Sequence, residues 1–181
     1  MSKKRIVDQK ANGFIIPVST IEEMNKLNHK TYETGREHAL ALCLDKKLKQ
    51  IVPGNSAIGN EVSVYFEPKC KDKKNQKYVG NFHTHPEPSE TKFSAADLVM
   101  ACNKKEYIDC VGMDSEGNIA CYMRKRNGND SKTCLKDANA LMDIEDMYGK
   151  LSMDDEGVIP EAVLYNVDKI VDNKFTSKKI L

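Results

Sequence analysis

The spacing of apolar and polar positions predicts most of the elements of this chain. GFIIPV (Gly13–Val18) is a short apolar run bounded by Gly and Pro, the pattern of a strand. STIEEMNKLNHKTYETG follows, with Ser19 or Thr20 as N-cap and Glu22 and Glu23 suited to the first turn. Ile21, Met24, Leu27 and Tyr32 form its helical stripe, and Gly35 ends it. EHALALCL (Glu37–Leu44) is short and apolar, as a buried strand is, and KQIVPG adds a brief one. EVSVYFE (Glu61–Glu67) alternates strictly, with Val62, Val64 and Phe66 on one face. KYVGNFHTH reads as a further strand. SAADLVMACNKKEY (Ser94–Tyr107) reads as a helix with Leu98, Val99 and Cys102 inward.

IDCVGMD and NIACYMRK flank SEG and predict a β-hairpin. The chain turns polar near Asn127, a plausible domain edge. Two helices are expected beyond it. One carries Leu135, Leu141, Met142, Ile144, Met147 and Leu151; the other starts at Pro160 with Val163, Leu164, Val167, Ile170 and Val171. The order predicts an α/β domain, a mixed β-sheet flanked by helices, with extra C-terminal helices. The expected division is a domain over 1–126 and a helical extension over 127–181 that packs on it.

Composition narrows the partners. Of 181 residues 40% are hydrophobic and 30% charged, enough for a real core. Lys and Arg number 28 against 27 Asp and Glu, so no overall field draws the chain to nucleic acid or an anionic membrane. The basic run KCKDKKNQK (Lys69–Lys77) reads as a solvated loop. No segment reaches the ~18–20 apolar residues of a membrane span. MSKKRIVDQKANG lacks the apolar region of a signal peptide. The six cysteines have irregular spacings and form no C-x-x-C pair, so they read as free thiols in a reducing cytoplasm.

The chemistry concentrates in GNFHTHPEPSETKFSAADL (Gly80–Leu98). Residues i and i+2 of a strand share a face, so His83 and His85 aim two imidazoles at one point. Pro86 then ends the ladder. Ser94 and Asp97 read in one way as a capping box. In another, Asp97 brings a carboxylate back to the histidines. Two imidazoles, one carboxylate and one water make an open zinc site. Hydrolysis there needs a base close to the metal but not bound to it. Glu37, at the head of a buried strand, is the best placed acid, with Glu33 and Glu61 as rivals. His29 and His38 read as surface or helix-end residues, and His38 faces away from Glu37.

These residues resemble the signature of the JAMM (JAB1/MPN/Mov34, MPN+) metalloproteases: a Glu, then His-Ser/Thr-His-Pro, a spacer, and Ser-x-x-Asp. The resemblance covers Phe14 to Lys125. It implies a layered fold of the MPN or cytidine deaminase-like kind. It implies that His83, His85 and Asp97 bind Zn²⁺, that Glu37 holds and deprotonates the zinc water, and that Ser94 stabilises the oxyanion. It further implies cleavage of a peptide or isopeptide bond in a protein substrate of the ubiquitin-like or sulfur-carrier kind. The chain departs from the family in a slightly longer spacer from Pro86 to Ser94. It also has Leu40 and Leu44 where the strand after the Glu usually has glycine. The alternatives are a non-catalytic MPN-type scaffold or binding module, and a different H-x-H metalloenzyme. The latter needs further histidines downstream, and none follows His85.

Overall fold

The computed structural model describes residues 4–11, 13–59, 66–85, 95–103, 107–125, 131–151, 169–172 and 174–181. For residues 95–97, 103, 131 and 144–151 it describes the backbone alone. The chain is a mixed α/β protein. Among the described residues it has eight strands: β1 (Gln9–Ala11), β2 (Phe14–Ile16), β3 (His38–Asp45), β4 (Gln50–Ile58), β5 (Gln76–Thr84), β6 (Ile108–Gly112), β7 (Ile119–Arg124) and β8 (Phe175–Lys179). They form one sheet in the order β1-β2-β4-β3-β5-β6-β7-β8. The β2–β4 and β5–β6 pairs are parallel; β1–β2, β3–β4, β3–β5 and β6–β7 are antiparallel. Among the described residues the main helices are α1 (Val18–Thr34), α2 (Ala95–Asn103) and α3 (Ser131–Leu151).

The chain divides into two compact units. The first comprises residues 1–88, 108–123 and 177–181, and the second 89–107 and 124–176. In the first unit α1 packs on β3, β4, β5 and β6. Its Ile21, Met24 and Leu27 join Ile16, Leu40, Leu42, Ile51, Val79 and Phe82 in one core. Three of the four expected stripe positions are therefore buried; Tyr32 is half-exposed. Helix α1 starts earlier than its sequence suggests, with Pro17 at the cap position, two residues before Ser19 and three before Thr20. The acceptor for its first N–H comes from outside the helix: Val18 N–H donates to Asp8 Oδ1 at 2.8 Å. Thr20 is instead buried and donates to the Ile51 carbonyl of β4. Gly35 ends the helix in the left-handed conformation, φ 69°, and its N–H donates to Thr31 O.

Strand β3 buries seven of its eight residues, as an apolar run without alternation requires. Leu40 and Leu44 lie in that core. Strand β4 is longer than a brief strand and contains Pro53; an irregularity in the ladder between Leu40 and Leu42 accommodates it. The expected strand over Glu61–Glu67 falls mostly outside the described residues, and Phe66 and Glu67 are not in a strand. The β6–β7 hairpin forms as its flanking sequences predict.

In the second unit α2 packs on α3, with Leu98 and Cys102 fully buried and Val99 partly so. The helix expected from Pro160 lies largely outside the described residues; 169–172 are helical. Strand β8 was not legible in FTSKK, whose only large apolar residue is Phe175. It holds the sheet edge through Lys125 N–H to Lys174 O at one end and Ile180 N–H to Ile119 O at the other.

The cysteines correct the expectation of free thiols. Cys43–Cys70, Cys102–Cys134 and Cys110–Cys121 are disulfides, and none of the six is free. Irregular spacing concealed them because each pair is made by tertiary contact. Cys110 and Cys121 face each other across β6 and β7. Cys102 and Cys134 join α2 to α3, and Cys43 joins β3 to the loop carrying Cys70. The ground for reading a reducing compartment is thereby removed. Among the described residues no helix is long and apolar enough to cross a membrane.

Candidate metal centre

The centre is built on the last residues of β5. In the β3–β5 ladder Ala39 pairs with His83 and Leu40 with Phe82. Two residues beyond Ala39, that register sets Glu37 opposite His85. Period two puts Glu37, Ala39, His83 and His85 on one face. The side chains bear this out: His85 Nδ1 lies 3.4 Å from Glu37 Oε1. Glu37 and His83 are buried, at 8% and 9% exposure, although both are polar. The two imidazole rings are perpendicular, with centroids 5.0 Å apart.

The adjacent strand supplies an unexpected member. Asp109 of β6 is 2% exposed, and its Oδ1 lies 3.2 Å from His83 Nδ1. In the parallel ladder Asn81 pairs with Asp109 and His83 with Val111, so Asp109 reaches His83 diagonally on the same face. Its signal in the sequence was a lone acid within IDCVG, a strand buried at all five positions. Each histidine thus turns Nδ1 toward a carboxylate. His85 Nε2 is buried and has no hydrogen-bond partner among the described residues. Buried polar atoms without partners are rare, and a missing ion is one of the few reasons for them.

Thr84, between the two histidines, faces the other way. It ties the strand to α1: Thr84 Oγ1 and Thr31 Oγ1 are 2.5 Å apart, and His38 N–H donates to Thr84 Oγ1 at 2.9 Å. His38 does point away from Glu37, but it is not a surface residue. It is 2% exposed, with Nδ1 3.0 Å from the Arg36 carbonyl and 2.9 Å from Thr31 Oγ1. A carbonyl only accepts, so Nδ1 carries a proton. Burial holds the His38 pKa below its ordinary value, helped by the positive charges of Lys30 and Arg36 and opposed by the bond to the Arg36 carbonyl. His29 is exposed, as expected.

The structure therefore brings Glu37, His83 and His85 together. Asp97 falls in the first turn of α2, but its side chain lies outside the described residues, as does Ser94. Among the described residues no group of three or more His, Cys, Asp or Glu side chains is arranged to hold a metal ion. The donors that are described suit zinc chemically: two imidazoles, each with a carboxylate at its other nitrogen. Neither a protein-family model nor a curated protein matches the chain.

Proposed function

We propose that the chain is a zinc-dependent hydrolase of peptide or isopeptide bonds, of the JAMM type, acting on a protein substrate of the ubiquitin-like or sulfur-carrier kind. The observation that carries the reading is the pairing of His85 Nδ1 with Glu37 while His85 Nε2 is buried without a partner. A histidine so placed is prepared to give Nε2 to a metal. His83, His85 and Asp97 would hold the zinc, which when bound acidifies a water and polarises a carbonyl.

The chain's own residues do the rest. The Glu37 carboxylate has two oxygens, and Oε1 is the one that faces His85. The other accepts the proton of the attacking water and returns it to the leaving nitrogen. The Ser94 hydroxyl donates to the oxygen that gains charge when the carbonyl is attacked.

Metal analysis tests the first half. The expected result is about one zinc per chain, lost in His83→Ala. Substoichiometric zinc unaffected by His83→Ala would sink the metal claim. For catalysis, Glu37→Gln should keep its zinc and cleave a ubiquitin-like fusion some 10²–10⁴-fold more slowly. Equal rates reject Glu37 as the base. Zinc bound with no cleavage of such fusions supports the scaffold alternative.

A further inference from the structure

We infer that Asp109 is a positioning residue of the metal site: its carboxylate holds the His83 ring so that Nε2 is the nitrogen offered to a metal. The inference rests on the zinc reading above and adds a residue that the motif does not contain.

Asp109 sits where an acid is costly. All five residues of β6 are buried, and Asp109 itself is 2% exposed. A carboxylate in such a place needs a compensating partner to remain. His83 Nδ1 lies 3.2 Å from Oδ1, a close contact that falls short of hydrogen-bond alignment. A carboxylate so close to Nδ1 favours the proton on that nitrogen, which leaves the lone pair on Nε2. A ring free to exchange tautomers spends part of its time with the proton on the nitrogen that a metal would take. One fixed by a carboxylate does not.

The two carboxylates of the site divide the work by exposure. Glu37 lies beside His85, the more exposed histidine, with side chains 11% and 24% exposed, where water can reach. Asp109 lies behind His83, with side chains 2% and 11% exposed. Glu37 can meet a substrate water; Asp109, more deeply buried, meets the imidazole of His83. Parallel β5–β6 pairing makes this possible, because it sets Asp109 level with Asn81 and one diagonal step from His83.

The test uses the full chain, without zinc and with it. In the zinc-free protein, long-range ¹H–¹⁵N spectra should show His83 as the Nδ1–H tautomer, and added zinc should move its Nε2 resonance. Asp109→Asn removes the charge at nearly constant shape. It should weaken zinc binding, read by chelator competition, about 10–100-fold. A purely structural Asp109 would change the melting temperature but neither the tautomer nor the affinity of the folded fraction. Unaltered protein that binds zinc, with Asp109→Asn within about twofold of it, overturns this inference and leaves the zinc reading standing. An unaltered chain that binds no zinc overturns both. Should Asp109→Asn not fold, the unaltered protein still decides: a His83 Nε2–H tautomer, or a zinc shift at Nδ1, overturns the proposal.

Discussion

Opening the Cys102–Cys134 bond should loosen the helix that carries Asp97. The bridge joins positions 32 residues apart, and both cysteines are fully buried. Closing a loop of that length removes about 3.7 kcal/mol of unfolded-state entropy at 25 °C. Replacing both sulfurs with hydrogen in a Cys102→Ala/Cys134→Ala variant also leaves a small void, adding on the order of 1 kcal/mol. The loss should therefore be about 4.7 kcal/mol for the unit containing α2 and α3. With a urea m-value of about 2 kcal/mol/M the unfolding midpoint falls by about 2.3 M. Because the chain has two compact units, hydrogen exchange over Ala95–Asn103 is the local readout and circular dichroism the global one. Alkylation of the denatured, unreduced chain should label none of the six cysteines, and all six after reduction. The reasoning fails if Cys102 and Cys134 are labelled without reductant. It also fails if the double variant exchanges and unfolds like the unaltered protein.

Other consequences concern the first unit. Gly80→Ala should lower the melting temperature by about 10 °C, because a Cβ there overlaps the backbone carbonyl of Ile108 and forces β5 from β6; an unchanged melt would mean that the strands can part freely. Thr84→Val should cost about 1–3 kcal/mol by leaving the His38 N–H and the Thr31 hydroxyl without that oxygen. Thr84→Ser should recover most of the loss in urea titrations. His38 gives a pH dependence of known sign. Its pKa in the folded protein lies below its ordinary 6.5, so below that pH the unfolded chain binds a proton that the folded chain refuses. Stability should fall as pH is lowered from about 6.5 toward the folded-state pKa, and be fully present above. In His38→Gln, the slope of unfolding free energy between pH 7 and 5 should be shallower; equal slopes would refute the assignment.

What the sequence disclosed and what it hid divide along the range of the interactions. Period two alone placed His83 and His85 on one face, and the apolar run after Glu37 placed that acid at the head of a buried strand. Gly35 ended α1 because a left-handed residue is a local requirement. The N-cap misled for the opposite reason. Ser19 and Thr20 have the right chemistry, but Thr20 is drawn to Ile51 of β4, and Asp8 supplies the acceptor from ten residues away. The disulfides were hidden similarly: Cys110 and Cys121 face each other only once the hairpin register is set, and the other two pairs need the packed units.

The candidate site shows the same boundary running through a single pair of histidines. Glu37 could be named from the sequence as the best placed acid, because it stands at the head of a buried apolar run, but its pairing with His85 follows only from the β3–β5 register. His83 could not be matched with Asp109. That contact depends on β6 lying parallel to β5, and on a register that sets Asn81, not His83, level with the acid. A shift of one residue would turn Asp109 to the opposite face, away from the imidazole. The buried acid in IDCVG is therefore not a lapse in a hydrophobic strand. It is a residue whose presence becomes intelligible only when the neighbour is known, and β6 must hold its register as strictly as β5 holds the histidines.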